Sequence, residues 1–123
     1  AECANDITKP ESTNWMNLFI NSDCKNDNGW YGYNYIINRY QNGNAASIER
    51  FADGTWATEK VGDAEFSVNG KIMQIKVSKS LLNIKDEFHF KWADNSVIDG
   101  NIMEFIDKGD VAPNDRFNYI YKK

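Results

Sequence analysis

The stretch FHFKWADNSVIDGNIMEFIDKGDVAPNDRFNYIY, residues 88–121, decides the fold class. Aromatic side chains alternate with other residues in the run 88–92 and again in the run 117–121. Turn-forming pairs and a loop separate the two runs, at Asp94-Asn95, at Asp99-Gly100 and at residues 109–113. An alternation of period two that is bounded by turn residues is typical of half-buried β-strands. The stretch therefore predicts an all-β architecture.

The same pattern extends over the rest of the chain. Residues 15–21 are apolar on both faces, which predicts a central strand. The pair Asn69-Gly70 accepts the positive φ angles of a two-residue hairpin turn, and Ser78 can cap one short helical turn near residues 78–83. The predicted strands cover residues 15–21, 33–39, 47–51, 56–60, 66–68, 73–77, 88–92, 102–106 and 117–121. Short strands in this number, with little helix, predict one antiparallel β-sandwich domain of the jelly-roll type over residues 1–123.

The composition limits the class of partner. The 123 residues include 14 Lys and Arg against 18 Asp and Glu, which gives a net charge of −4. Nucleic-acid binders need a basic stripe that releases counterions, and anionic membrane surfaces attract basic segments, so we expect neither partner. No apolar run approaches the roughly 20 residues of a membrane-spanning helix.

The two cysteines, Cys3 and Cys24, leave a disulfide open as an alternative. A bridge would close a loop of about twenty residues and could contribute roughly 3 kcal/mol. If residues 2–7 and 15–21 form a hairpin, Cys3 lies opposite a residue near Leu18, and Cys24 is out of bonding range. Two unpaired thiols are therefore the preferred interpretation.

Several segments, taken in chain order, resemble one known type of domain. The run WYGYNYIINR, residues 30–39, resembles the segment W-x-G-Y-D-x-x-I-N-R, with Asn34 in place of the aspartate. Further matching segments follow at residues 47–51, 77–82, 90–95, 109–113 and 116–119. Together they are similar to the family 9 carbohydrate-binding modules and the related DOMON domains.

The resemblance implies a function and a location. Such domains are found at the C-terminal ends of large secreted bacterial proteins, often beside glycoside hydrolases. We therefore expect a non-catalytic module, extracellular or at the cell surface, that holds a glycan near an enzyme domain of the same parent chain. A structural or assembly domain without a sugar ligand is the alternative, and a haem or redox module of the DOMON type is a more distant one.

The comparison with the family also predicts an open sheet edge. The chain begins where the second or third strand of such a domain is expected, so the leading strands look absent. An exposed edge invites pairing with a second copy. A homodimer through this edge is therefore expected.

The candidate ligand-binding residues combine flat rings with groups that bind hydroxyls. A pyranose presents a patch of C–H bonds to an aromatic face, while Asn, Asp or Arg side chains bond its hydroxyl groups. Trp30 and Trp56 lie in or beside predicted turns, which favours exposed rings. The predicted set is Trp30, Trp56, Tyr33, Arg39, Asn95 and Arg116. The alternative is structural, with the tryptophans packed in the interior and the arginines in charge pairs with neighbouring strands or loops.

Metal binding and catalysis have weaker signals. Residues 23–29 supply oxygen donors, above all Asp23 and Asp27, for a structural calcium ion, with a solvated loop as the alternative. No other cofactor is expected. The single histidine, His89, is predicted to point away from the core, without a second histidine for a zinc site and without a G-x-S-x-G elbow. We therefore expect no enzymatic activity.

Overall fold

A computed structural model describes residues 1–9, 16–94, 100–108 and 110–123. The predicted positions Trp15 and Asn95 lie outside the described residues. The described elements are β1 (Asn17–Asn21), β2 (Tyr35–Asn42), β3 (Ala45–Phe51), β4 (Thr58–Asn69), β5 (Ile72–Lys76), β6 (Glu87–Asp94), α1 (Glu104–Asp107), β7 (Asp110–Ala112) and β8 (Tyr119–Lys122). Every strand pairing among them is antiparallel, so the predicted all-β class is confirmed.

The described strands belong to one curled sheet. Their order is β5-β4-β3-β2-β1-β6-β7, and β8 also pairs with β6. The predicted central strand is confirmed, because β1 lies between β2 and β6. Phe66 of β4 and Trp92 of β6 pack against one cluster around Met16 and Met73, although β4 and β6 are not neighbours in the sheet. The sheet therefore curls on itself, and the finer prediction of two packed sheets stays a prediction.

Apolar clusters lie on both faces of the sheet. The inner cluster includes Leu18, Ile37 and Ile48, with the buried Leu82 packed against it. The outer cluster is built around Phe19, which is fully buried. Residues 22–34 and the segment around α1 cover this second face, so we call it the loop face. The candidate site lies among the residues that cover it.

Two local predictions in the first half of the sheet need correction. The predicted hairpin joins β4 to β5, but its two loop residues are Gly70 and Lys71 and not Asn69-Gly70, because Asn69 is still paired with Ile72 and only Gly70, at φ 57°, has a positive φ there. The two strands predicted at 56–60 and 66–68 are wrong, because one long strand, β4, covers both. Its register with β3 shifts beside Gly62, where an added Cβ atom would lie 2.9 Å from the Leu81 side chain.

The predicted strand at residues 102–106 is also wrong. The segment forms a turn that leads into the short helix α1. Ile102 and Phe105 are three residues apart and both buried in the loop-face cluster, while Met103 and Ile106 are exposed. That spacing matches one face of a helical turn and not the alternation of a strand. Conversely, the helical turn predicted near 78–83 is a hydrogen-bonded turn, closed by the bond from the Ile84 amide to the Lys79 carbonyl at 2.9 Å.

The N-terminal segment pairs with β5 and not with β1. The amide of Cys3 donates to the carbonyl of Lys71 at 2.8 Å, and Glu2 bridges to Ile72. The hairpin of residues 2–7 with 15–21 is therefore wrong, because both edges of β1 are already occupied by β2 and β6. Cys3 and Cys24 are free thiols.

Candidate ligand-binding site

A tight turn at Tyr31-Gly32 organises the loop face. Trp30 and Tyr33 exchange two backbone hydrogen bonds, of 2.9 and 3.0 Å. The two residues between them have φ angles of 51° and 91°, the signs of a type I′ turn. Gly32 is required at its position, because a Cβ atom there would lie 2.9 Å from the carbonyl oxygen of Lys25. The turn buries the side chains of Trp30 and Tyr33 and leaves Tyr31 at its tip.

Tyr31 is both exposed and strained. Its side chain is 56% exposed, although its ring meets the edge of the Trp30 ring with centroids 5.5 Å apart. A bulky residue at positive φ is an outlier that costs on the order of 1–3 kcal/mol, and such strain concentrates at functional sites. The guanidinium of Arg116 lies 5.7 Å from the Tyr31 ring centroid. The Tyr31 ring is therefore in contact with Arg116 and Trp30, and the rest of it is exposed to solvent.

The prediction that the Trp30 ring is exposed is wrong. Only 3% of Trp30 is exposed, because its ring packs parallel to Phe51 at 5.7 Å and edge-on to Trp56 at 4.5 Å. Its indole nitrogen donates to the carbonyl of Gly100 at 3.3 Å. Trp30 therefore supports the site from beneath and cannot offer a ring face to a ligand.

Trp56 and Arg39 form a second contact of a cation with a ring. Trp56 is half-buried against the loop-face cluster, and the Arg39 guanidinium lies 4.8 Å from its ring centroid. Arg39 also lies 3.9 Å from the Glu49 carboxylate, which is the cross-strand charge pair offered as the structural alternative. Burial is the main cause that raises the pKa of Glu49, and Arg39 opposes that shift. Arg39 is therefore engaged on both sides within the protein.

Tyr33 is hydrogen-bonded to Asn118, which lies in the same cleft wall as Arg116. The Tyr33 hydroxyl donates to Oδ1 of Asn118 at 2.6 Å, and Tyr33 itself is only 3% exposed. Burial raises the pKa of Tyr33 far above its ordinary value, so the hydroxyl stays protonated as a donor. Because Oδ1 of Asn118 accepts this bond, its amide NH2 group is the part oriented for other acceptors.

Two clefts meet at Tyr31. One has a volume of 360 Å³ and the other 390 Å³, and both include Asn26 and Tyr31 in their walls. Both volumes lie in the range of small-molecule sites, about 300–1,000 Å³. The first, which we call the indole cleft, also includes Trp30, Trp56 and Asp27. The second, the arginine cleft, also includes Tyr33, Arg116 and Asn118.

Four of the predicted ligand-binding residues are therefore brought together around one residue that was not predicted. Tyr31 stands at the unspecified position of the W-x-G-Y motif, which is why the motif did not point to it. The sequence signal that could have identified Tyr31 is the glycine after it. A Tyr-Gly pair fits the two central positions of a tight turn, and the first of these positions is exposed. Asn95 lies outside the described residues.

Within the described residues, Asp23 and Asp27, the predicted calcium ligands, do not belong to a group of three or more converging acidic, cysteine or histidine side chains. Both carboxylate oxygens of Asp23 accept bonds inside the loop, one from the Lys25 amide at 3.2 Å and one from the Asn28 side chain at 2.6 Å. Asp27 is exposed in the wall of the indole cleft. Calcium needs six to eight oxygen ligands, so the two aspartates alone fit the ion poorly.

A larger cleft of 640 Å³ lies elsewhere, beside Arg50 and Glu59. These two residues form an exposed ion pair across β3 and β4. The aromatic residues in its wall, Tyr35 and Phe51, are buried. This cleft therefore lacks the open ring that distinguishes the Tyr31 region.

No protein family, curated protein or solved structure matches the chain. Among the described residues, no helix has the length and apolar character that a membrane crossing requires.

Proposed function

We propose that this chain is a non-catalytic carbohydrate-binding module of an extracellular bacterial protein, with Tyr31 as the surface on which the sugar packs. The observation that carries the proposal is the exposed, positive-φ ring of Tyr31 between two clefts. A sugar needs an apolar face and a few directed hydrogen bonds, and this region offers both kinds of group.

The polar groups lie on both sides of the ring. In the arginine cleft, Arg116 and the amide of Asn118 are donors to hydroxyl oxygens. In the indole cleft, Asn26 and Asp27 are acceptors for hydroxyl protons. A ring that packs on Tyr31 can thus be bonded from either side, and two linked sugars can extend over both clefts.

The proposal assigns a positioning role to the tryptophans. Trp30 holds the turn from beneath, and Trp56 forms the far wall of the indole cleft. Because the platform is one tyrosine and the clefts are open, we expect weak binding, with dissociation constants from millimolar to micromolar. In its parent chain the module would keep an enzyme domain close to its glycan.

A glycan array with the full chain, followed by affinity electrophoresis on each hit, tests this proposal. We expect at least one neutral or acidic glycan to bind, and the binding to be lost in Tyr31→Ala. Tyr40→Ala is the matched control, since Tyr40 is 63% exposed on β2 and lies outside both clefts. No binding at millimolar glycan would contradict the proposal.

A structural or assembly domain is the second candidate, and strand β8 favours it. Tyr119, Ile120 and Tyr121 are all exposed, and β8 pairs on one side with β6. Such an apolar edge fits a second copy that adds its own β8 in antiparallel pairing, which would give a dimer with two-fold symmetry. Sedimentation velocity over a range of concentrations tests this, with Ile120→Lys expected to abolish the dimer. A monomer at all concentrations would exclude this dimer.

A further inference from the structure

Three side chains with metal-ligand chemistry converge where residues 22–34 pack on β6. Sγ of Cys24, a carboxylate oxygen of Glu87 and a ring nitrogen of His89 all lie within 4.8 Å of one another. No other group of three such residues converges in this way in the described part of the chain. We propose that Cys24, Glu87 and His89 bind a divalent transition-metal ion, with zinc as the expected ion.

The sheet explains how these residues meet. Glu87 and His89 are two positions apart on β6, so their side chains point to the same face. Asn21, the last residue of β1, lies opposite His89. Cys24 follows three positions later, in the segment after β1, and its Sγ atom lies beside Glu87 and His89 of β6. The sequence separates Cys24 widely from His89, which is why no cysteine–histidine pair was predicted.

The distances suit zinc after a small adjustment. Zinc–sulfur and zinc–nitrogen bonds of about 2.3 and 2.0 Å at tetrahedral angles place the ligand atoms about 3.5 Å apart. Side-chain movements of about 1 Å close the present separations of up to 4.8 Å. Nε2 of His89 is already 3.2 Å from Oε1 of Glu87. Three protein ligands leave the fourth zinc position for solvent or for a ligand.

The donor set selects the class of metal. A thiolate and an imidazole favour zinc and related transition metals, whereas calcium and magnesium require oxygen ligands. This site is therefore distinct in chemistry from the calcium site that was expected at Asp23 and Asp27.

Neighbouring groups supply outer support. Nζ of Lys122 lies 3.0 Å from Oε2 of Glu87, which leaves Oε1 on the side of His89. Asn21 is buried on the same face as His89, and its Oδ1 atom has no hydrogen-bond partner within the described residues. Ligating histidines donate their second ring N–H to an acceptor of this kind. The cluster thus has both direct ligands and groups that can orient them.

Titration of the full chain with Co2+, a spectroscopic substitute for zinc, tests the proposal. We expect one equivalent to bind with a sulfur-to-cobalt absorption band that added Zn2+ abolishes. Cys24→Ser should lose the band, and His89→Gln should weaken binding about tenfold or more. Cys3→Ser is the matched control, since Cys3 is the second free thiol and lies outside the cluster, and it should keep the band.

Two results would overturn the site. One is the absence of saturable Co2+ binding in the wild-type chain. The other is a band that survives in Cys24→Ser but disappears in Cys3→Ser. Circular dichroism of each variant without metal establishes that the fold is intact, so a lost band reports the ligand and not unfolding.

Discussion

The amine of Lys91 donates a hydrogen bond to the carbonyl oxygen of Pro113. Lys91 is fully buried on the loop face of β6, and its nitrogen lies 5.4 Å from the Phe105 ring centroid. The bond ties strand β6 to the loop that leads to Arg116 and Asn118. A buried cation is therefore part of what positions one wall of the arginine cleft.

Lys91 makes the stability depend on pH. Burial lowers the pKa of Lys91 from 10.5 to about 8, and Asp115 partly opposes the shift. Between these two values the unfolded chain binds more protons than the folded chain, so the free energy of unfolding rises with pH. The total rise is at most about 3.5 kcal/mol, at 1.4 kcal/mol per pKa unit.

In Lys91→Met, the free energy of unfolding measured with denaturant should no longer rise with pH across this range. Replacement of a buried charge by an apolar side chain of similar size is often neutral or stabilising. Lys71→Met, at an exposed lysine, should keep the wild-type slope. Equal pH slopes in the wild type and Lys91→Met would show that the amine is not desolvated.

Gly29 should be far less tolerant of substitution than Gly43. Both have positive φ, 57° and 59°, so Gly→Ala imposes the same backbone strain at each. At Gly29, however, an added Cβ atom would lie 2.1 Å from the Tyr33 carbonyl oxygen, whereas at Gly43 nothing lies within 4 Å. We expect Gly43→Ala to cost about 1 kcal/mol and Gly29→Ala several times that amount. Thermal unfolding of the two variants checks this, and equal losses would contradict the turn geometry.

The main effect of Trp30→Ala should be a loss of stability and not a direct loss of glycan binding. The ring is buried among Phe51, Trp56 and Phe19, so its removal should cost about 3–5 kcal/mol. Trp56→Phe, which keeps a ring at the half-buried position, should cost less. Urea unfolding measures both, and a Trp30→Ala variant of wild-type stability would mean that the ring is not in the core.

Tyr31→Asn should separate stability from function. Asparagine tolerates positive φ better than tyrosine does, while the lost ring contacts are those to Trp30 and Arg116. We expect the free energy of unfolding to be unchanged or to rise by up to about 1 kcal/mol, together with loss of glycan binding. Chemical denaturation and affinity electrophoresis of this one variant give both quantities. A clear loss of stability would show that Tyr31 serves the fold.

The sequence predicted the strands best where local chemistry alone determines them. The alternating aromatics in β6 and the hairpin between β4 and β5 need no distant partner, and both are confirmed, although the turn lies at Gly70-Lys71, one residue later than predicted. The strand prediction for residues 102–106 was wrong because five apolar-rich residues fit the period of a strand and that of a helix equally well. The packing of Ile102 and Phe105 under the loop face selects the helical turn. The prediction of two short strands in place of β4 was wrong because a glycine such as Gly62 usually interrupts a strand. In the structure Gly62 lies inside a continuous strand, where its missing side chain leaves room for Leu81.

The sequence predicted most residues of the candidate site but not Tyr31, the residue at its centre. The motif residues Trp30 and Tyr33 were identified, yet their roles follow from a turn that buries both and exposes Tyr31. Burial of this kind depends on which long-range partners, here Phe51 and Asn118, meet the motif. A metal cluster such as Cys24 with His89 depends even more on strand register, which the sequence leaves open.

Isothermal titration of the strongest glycan from the array tests the proposed function most directly. The wild-type chain and Tyr40→Ala should bind with the same affinity, and Tyr31→Ala should bind at least about tenfold more weakly, a loss of 1.4 kcal/mol or more. If Tyr31→Ala binds as tightly as the wild type, the sugar does not pack on Tyr31, and the site proposed between the two clefts is wrong.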